Sequence, residues 1–249
     1  MSDAIRVGLV GFGYASKTFH APLIGGTPGM ALKAVASSDA DKVHADWPGV
    51  KVMSAPGDLL DDPDIDLVVI ATPNDTHFPL AKAALEAGKH VVVDKPFTVT
   101  LSQARELESL AKHCGRILSV FHNRRWDSDF LTVSALINEG QLGEVCYFES
   151  HFDRFRPQVR QRWREQAGPG SGIWYDLAPH LLDQVVVLFG LPVSITVDLA
   201  QLRPGAQSTD YFHAVLAYPQ RRVVLHGTLL AAAESARFIV HGSRASFIK

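Results

Sequence analysis

The chain has 249 residues, with 24 lysines and arginines against 26 aspartates and glutamates, and 47% of it is hydrophobic. That length exceeds the roughly 100–150 residues usual for one domain, so two domains with separate cores are predicted. Balanced charge argues against nucleic acid or an anionic membrane as partner, and no apolar run reaches the roughly 18 residues a membrane span needs. The start of the chain has no basic segment followed by an apolar one, and Cys114 and Cys146 show no metal-ligand or disulfide-framework spacing. A cytoplasmic protein with reduced thiols is the expectation.

Along the first half, residues 5–10, 32–36, 51–53, 67–71, 90–93 and 117–121 are short runs rich in valine and isoleucine. Near-continuous hydrophobicity predicts strands buried on both faces of a parallel sheet. Residues 76–87 carry Leu80, Ala81 and Ala84 on one stripe with Gly88 after them, and residues 102–113 carry Leu107, Leu110 and Ala111 with Gly115 after; both read as helices. From Glu144 onward the segments 145–155, 194–202, 210–218, 222–230 and 237–241 alternate apolar and polar positions, and the chain closes on a further strand pattern at Phe247 and Ile248. Strands following strands predict an antiparallel sheet. One helix, 176–189, would lay Leu177, Leu181, Val185 and Leu188 against it. The fold class is therefore α/β: a doubly wound parallel sheet over 1–122, then an α+β domain on a mainly antiparallel sheet over 123–249.

Gly11-Phe12-Gly13-Tyr14-Ala15-Ser16 follows the first strand and opens a helical stretch, the context in which a GxG turn binds a dinucleotide pyrophosphate. Ser16 replaces the third glycine of the fingerprint and is small enough for close helix–strand packing. The second strand ends in Ser37-Ser38, where NAD-binding folds carry a carboxylate. Serine hydroxyls donate to a phosphate, Lys42 could reach the same phosphate, and Asp39 reads as a helix cap, so NADP is favoured with NAD left open. Thr72, Asn74 and His77 follow the fourth strand, where capping and ligand contact are equally good readings.

Asp94-Lys95-Pro96 follows Val91-Val92-Val93, which places an amine at the carboxyl edge of the sheet, and Pro96 restricts the Lys95 backbone. Asp176 and His180, spaced i, i+4, stack on one helix face, where a carboxylate fixes the tautomer of an imidazole; a capping role for Asp176 is compatible with this. If Lys95 and His180 meet at one hydroxyl, proton transfer follows. Arg124, Arg125, Trp126, Arg154, Arg156, Arg160, Arg162, Trp163 and Arg164 form a basic, aromatic band suited to a cofactor phosphate or a polyol rather than to nucleic acid. No HExxH or GxSxG is present, so neither a metal nor a serine nucleophile is expected.

Taken together, the glycine turn, Ala71-Thr72-Pro73-Asn74 with His77, Asp94-Lys95-Pro96 and the Asp176/His180 helix resemble the Gfo/Idh/MocA oxidoreductases. Residues 122–131, 162–165 and 175–184 resemble its YdgJ-type and NADP-linked scyllo-inositol dehydrogenase branches. The resemblance implies a catalytic set of Lys95, Asp176 and His180, with His180 taking the proton of a ring hydroxyl, Asp176 orienting it and Lys95 polarising the oxygen. It implies cofactor contacts from Gly11, Phe12, Gly13, Tyr14, Ser37, Ser38, Thr72, Asn74, His77, Asp94 and Lys95, and nicotinamide or substrate contacts from Asn123 and Trp163. It also implies a cis Lys95–Pro96 bond, a homodimer or higher oligomer formed through residues 194–230, and a C-terminal portion beyond residue 249.

Asp94 stands where the family more often has glutamate, and Ser38 where the branch has arginine. The expected function is hydride transfer between a nicotinamide cofactor and a cyclic polyol or sugar hydroxyl. Two rivals keep the same fold: a non-catalytic dinucleotide-binding sensor and nicotinamide-dependent glycoside cleavage.

Overall fold

The computed structural model describes residues 4–249 and divides into two units, one ending at Phe121 and one running from His122 to Lys249. In the first, β1 (Ile5–Val10), β2 (Met30–Ala36), β3 (Lys51–Met53), β4 (Leu67–Ile70), β5 (His90–Asp94) and β6 (Leu118–Phe121) form a parallel sheet in the order β3-β2-β1-β4-β5-β6. The helices are α1 (Ala21–Gly26), which continues a π turn over Ser16–His20, then α2 (Ala40–Asp46), α3 (Pro56–Leu60), α4 (His77–Glu86) and α5 (Leu101–His113). Both sheet faces are covered. Val7 and Leu9 pack with Ala21, Ile24 and Val43 on one side, while Val91 and Val93 pack with Ala81, Leu85 and Leu107 on the other. Two-sided burial is why these strands lack alternation. From β1 the chain builds outward through β2 to β3 at one edge, then returns to the centre at β4 and builds outward the other way, so the loops after the adjacent β1 and β4 diverge and open a crevice at their carboxyl ends.

The second unit holds α6 (Ser128–Asn138), β7 (Val145–His151), α7 (Gly172–Phe189), β8 (Ser194–Ala200), β9 (Tyr211–Ala217), β10 (Arg222–Thr228), β11 (Phe238–Gly242) and β12 (Ser246–Ile248). Its sheet runs β12-β11-β7-β10-β9-β8, antiparallel except where β7 and β10 pair in parallel. The sheet is mainly antiparallel, as expected, and the one parallel pair joins β7 and β10, which are neighbours that do not follow one another along the chain. Phe148, Phe212, Leu216, Leu225 and Phe238 pack against Leu177, Leu181 and Val185 of α7 and Phe130 and Val133 of α6.

Three helices differ from the sequence reading, the five-residue α3 being one that no sequence signal marked. Nothing had marked α6, although Phe130, Val133 and Ile137 lie on one stripe. Meanwhile α7 begins four residues earlier than 176, with Ser171 at its N-cap. A Cβ on Gly172, where φ is +82°, would lie 2.2 Å from Thr209 Oγ1, so only glycine lets the helix start abut that residue. Asp176 is consequently inside the helix rather than capping it, and Pro179 is interior too. Cys114 and Cys146 are free thiols. Among the described residues, no helix is long and apolar enough to cross a membrane.

Candidate active site

The glycine turn of the first unit is shaped for close backbone approach. Gly11 has φ +89°, and a Cβ there would lie 2.8 Å from the Ala71 carbonyl oxygen and 3.0 Å from Thr72 Cγ2, while a Cβ on Gly13 would meet no protein atom. Ser16, fully buried, donates from Oγ to the Gly11 carbonyl at 2.8 Å, so it tightens the turn in place of a third glycine. The Phe12 side chain is core, leaving its backbone to face the turn, whereas Tyr14 is 77% exposed. A groove lined by Gly11, Phe12, Gly13, Ser37, Ser38, Lys42 and Thr72 runs across the carboxyl ends of β1 and β2. Asp39 lines it as well, but its carboxylate accepts the Lys42 backbone N–H at 3.0 Å, which caps α2.

A bare turn whose Cβ positions are open or blocked by backbone, beside two serines and a lysine, fits a phosphate-bearing dinucleotide. Gly11→Ala is expected to weaken dinucleotide binding and to cost about 1–3 kcal/mol of stability through the forced left-handed conformation. Fluorescence titration and urea unfolding measure the two effects separately.

At the ends of β4 and β5, His77 has a different part from the ligand contact expected of it. It is fully buried; Nδ1 lies 2.8 Å from the Pro96 carbonyl and Nε2 3.0 Å from the Thr72 carbonyl. It therefore ties the Thr72 segment to the Lys95–Pro96 segment, and only one ring N–H of a neutral imidazole can donate at a time. Asn74 is also buried. The Lys95–Pro96 bond is cis, as the family resemblance implied. Asp94 accepts the Lys95 backbone N–H at 2.8 Å and lies 3.9 Å from His20 Nε2. Burial raises its pKa, but the neighbouring His20 imidazole, the charge of Lys95 and the Lys95 backbone hydrogen bond outweigh it and hold the carboxyl below the usual range. Lys95 itself is half-buried at the carboxyl edge of the sheet.

In the second unit, α7 carries both Asp176 and His180. His180 is buried, with the Phe152 ring edge-on at 6.3 Å. Phe152 in turn lies between the guanidiniums of Arg237, 4.0 Å from its centroid, and Arg124, 5.5 Å away. Burial pushes Arg237 down to about 10. Asp176 Oδ1 is 3.6 Å from Arg164 Nε, and Arg164 stacks on Trp163 at 4.6 Å. Asn123, like Trp163, begins a short 3-10 turn and is half-buried.

Sequence reasoning missed what holds this region. Buried Arg203 pairs with buried Asp210 at 2.9 Å and buried Glu165 at 3.0 Å, and its Nη1 donates to the Arg156 and Gln158 carbonyls. The arginine band was visible, but Arg203, which holds the Arg156 and Gln158 carbonyls, lies 47 and 45 residues further along the chain. Among the described residues, no cluster of histidine, cysteine and carboxylate groups could hold a metal.

Residues 5–122 match the NAD-binding Rossmann domain of the Gfo/Idh/MocA oxidoreductase family, and residues 134–249 match its C-terminal alpha/beta domain. The chain is 80% identical over 249 residues to YdgJ, an uncharacterized oxidoreductase of Escherichia coli strain K12, covering all of this chain and 72% of that protein. It is 38% identical over 247 residues to the scyllo-inositol 2-dehydrogenase (NADP(+)) IolW of Bacillus subtilis strain 168, covering 99% of this chain and 69% of that one. The structure of YPO2259 from Yersinia pestis superposes with a TM-score of 0.94 at 70% identity, over 100% of this chain and 70% of that chain. With both domains matched in order along its length, the chain belongs to the Gfo/Idh/MocA oxidoreductase family.

Proposed function

We propose that this oxidoreductase uses NADP(H) to interconvert a hydroxyl of a cyclic polyol or sugar and the corresponding ketone. The groove that gathers the glycine turn, Ser37, Ser38 and Lys42 carries the reading: a serine hydroxyl and an ammonium are donors suited to phosphate, the Ser37 hydroxyl donates to the Asp39 carbonyl at 3.2 Å beside them, and the Asp39 carboxylate is occupied by the α2 cap. The similarity to IolW, whose name gives both NADP and a cyclic polyol, supports it. Oxidising CH–OH to a ketone removes a hydride from carbon and a proton from oxygen. A bound nicotinamide supplies the hydride acceptor. His180 takes the hydroxyl proton, Asp176, one helical turn before it, orients the imidazole, and Lys95 polarises the reacting oxygen. Asn123 and Trp163 are assigned to substrate and Thr72 to cofactor, with Asn74 and His77 shaping the Thr72 loop from beneath. We place the protein in the cytoplasm and assign the sheet face of residues 194–230 to association of two copies, which light scattering tests.

Activity with a polyol panel and both cofactors tests the reading. NADP⁺ should be preferred over NAD⁺, and Lys42→Ala should erode that preference about tenfold or more, since a hydrogen bond to a charged group is worth about 1.5–3 kcal/mol. Preference for NAD⁺, unchanged in Lys42→Ala, would overturn the cofactor assignment. Tight dinucleotide binding with no turnover of any substrate would point to a sensor instead.

A further inference from the structure

We propose that the substrate carries an oxyanion, a carboxylate or a phosphate, and that Arg154 and Arg156 bind it beside Asp176. This deepens the dehydrogenase reading above and rests on it. The two arginines lie just beyond β7 on a stretch pinned to the end of β10: Arg154 N donates to the Thr228 carbonyl, Arg156 N to the Leu229 carbonyl, and Phe155 bridges Leu230. In such an extended stretch, residues two apart project to the same side. The backbone beneath them is fixed by the Arg203 guanidinium on the Arg156 and Gln158 carbonyls, so the pair is presented on a rigid support.

Counter-charge in this neighbourhood is scarce. Glu165 is taken by Arg162 at 2.7 Å, Arg203 at 3.0 Å and the Arg160 backbone N–H at 3.0 Å. Asp210 is taken by Arg203 and by the backbone N–H groups of Leu202 and Arg203. Asp153, next in sequence to Arg154, faces His151 and His226 instead. Asp176 is engaged as well, with Arg164 Nε 3.6 Å from its Oδ1. Among the described residues, neither Arg154 nor Arg156 has a carboxylate within 4.0 Å, although both are half-buried. Burial lowers the pKa of each, the charge of Asp176 opposes that, and neighbouring arginines add to it.

Half-buried guanidiniums crowded together without partners are costly, and an oxyanion that accepts from both would offset that cost. Arg154 also lines a cavity of about 370 Å³ together with Arg237 and Phe152, and the Phe152 ring meets His180 edge-on with centroids 6.3 Å apart, so one side chain stands between this cavity and the proposed base. Asp153 and Glu234 line the same cavity, Asp153 engaged as described and Glu234 exposed. Small-ligand sites begin at about this size.

The test pairs neutral and anionic substrates: inositol with inositol monophosphate, and glucose with gluconate and glucose 6-phosphate. Wild type should favour an anionic member in kcat/KM by about tenfold or more, less so at high salt. Arg154→Gln and Arg156→Gln, which keep much of the side-chain stem, should each reduce the anionic-to-neutral ratio by about tenfold. Gluconate against glucose 6-phosphate tells carboxylate from phosphate. Preference for the neutral members, or a ratio unmoved in the double variant, would overturn the anion site and leave the dehydrogenase reading standing.

If no member turns over, that reading fails, and calorimetry with inorganic phosphate and gluconate decides the site alone. Binding by wild type that is lost in the double variant, with an unchanged melting temperature, supports it. Absence of wild-type binding, or binding retained by the double variant, sinks it.

Discussion

Replacing His180 with asparagine is expected to lower kcat for polyol oxidation by about 10²–10⁴-fold, the range for loss of a general base. Dinucleotide affinity should hold, because the glycine groove is built from the first unit and His180 sits on α7 of the second. Asparagine keeps a polar side chain in the buried position facing Phe152 but cannot take a proton at working pH. The acid limb of the kcat/KM profile, which reports the base in the free enzyme, should vanish with it. Lys95→Ala should cost a comparable factor.

The two changes combined carry the sharper information. If both groups serve one proton transfer, the double variant is little worse than the poorer single variant; if they act independently, the losses multiply. Retention of wild-type kcat in His180→Asn would show that the base lies elsewhere.

The first unit was legible in the sequence because its signals are local. Each strand is a short apolar run, the glycine turn follows β1 directly, and Lys95 is placed by the strand before it. His77 could be found but not interpreted: both of its hydrogen-bond partners are backbone carbonyls, Thr72 and Pro96, and no pattern of side chains announces those. The second unit was harder to read. Its strand segments showed by alternation, yet the parallel pairing of β7 with β10 is decided by packing across some 70 residues of chain. The start of α7 was misplaced because Gly168, Pro169, Gly170 and Gly172 read as loop. What starts the helix is contact between Gly172 and Thr209, which are distant in sequence. Asp176 and His180 kept their spacing despite that error, since i, i+4 stacking needs only that both be helical.

Arg203→Ala should destabilise the protein by about 3–5 kcal/mol, because removing one member of a buried ion network strands the others in low dielectric. Arg203 is 4% exposed, Asp210 1% and Glu165 5%, so solvent cannot take its place. Exchanging all three for apolar residues would not restore stability here. Asp210 also accepts the backbone N–H groups of Leu202 and Arg203, and Glu165 that of Arg160, so the exchange would orphan those donors.

The pH dependence has a definite sign. Burial raises the Glu165 pKa, but the Arg160 backbone hydrogen bond, the Arg162 hydrogen bond and charge and the Arg203 hydrogen bond outweigh it, leaving the carboxyl below its ordinary value. A depressed folded-state pKa means that the Glu165 contribution is present above the unfolded-state value and is lost as pH falls through the folded one. Wild type should therefore lose stability on acidification through the ordinary carboxylate range and below. Arg203→Ala, with Glu165 less depressed, should lose less over the same interval. Urea unfolding of both proteins at neutral and acidic pH measures this. A neutral-pH difference well under about 1 kcal/mol would mean that the network contributes no more than a surface pair.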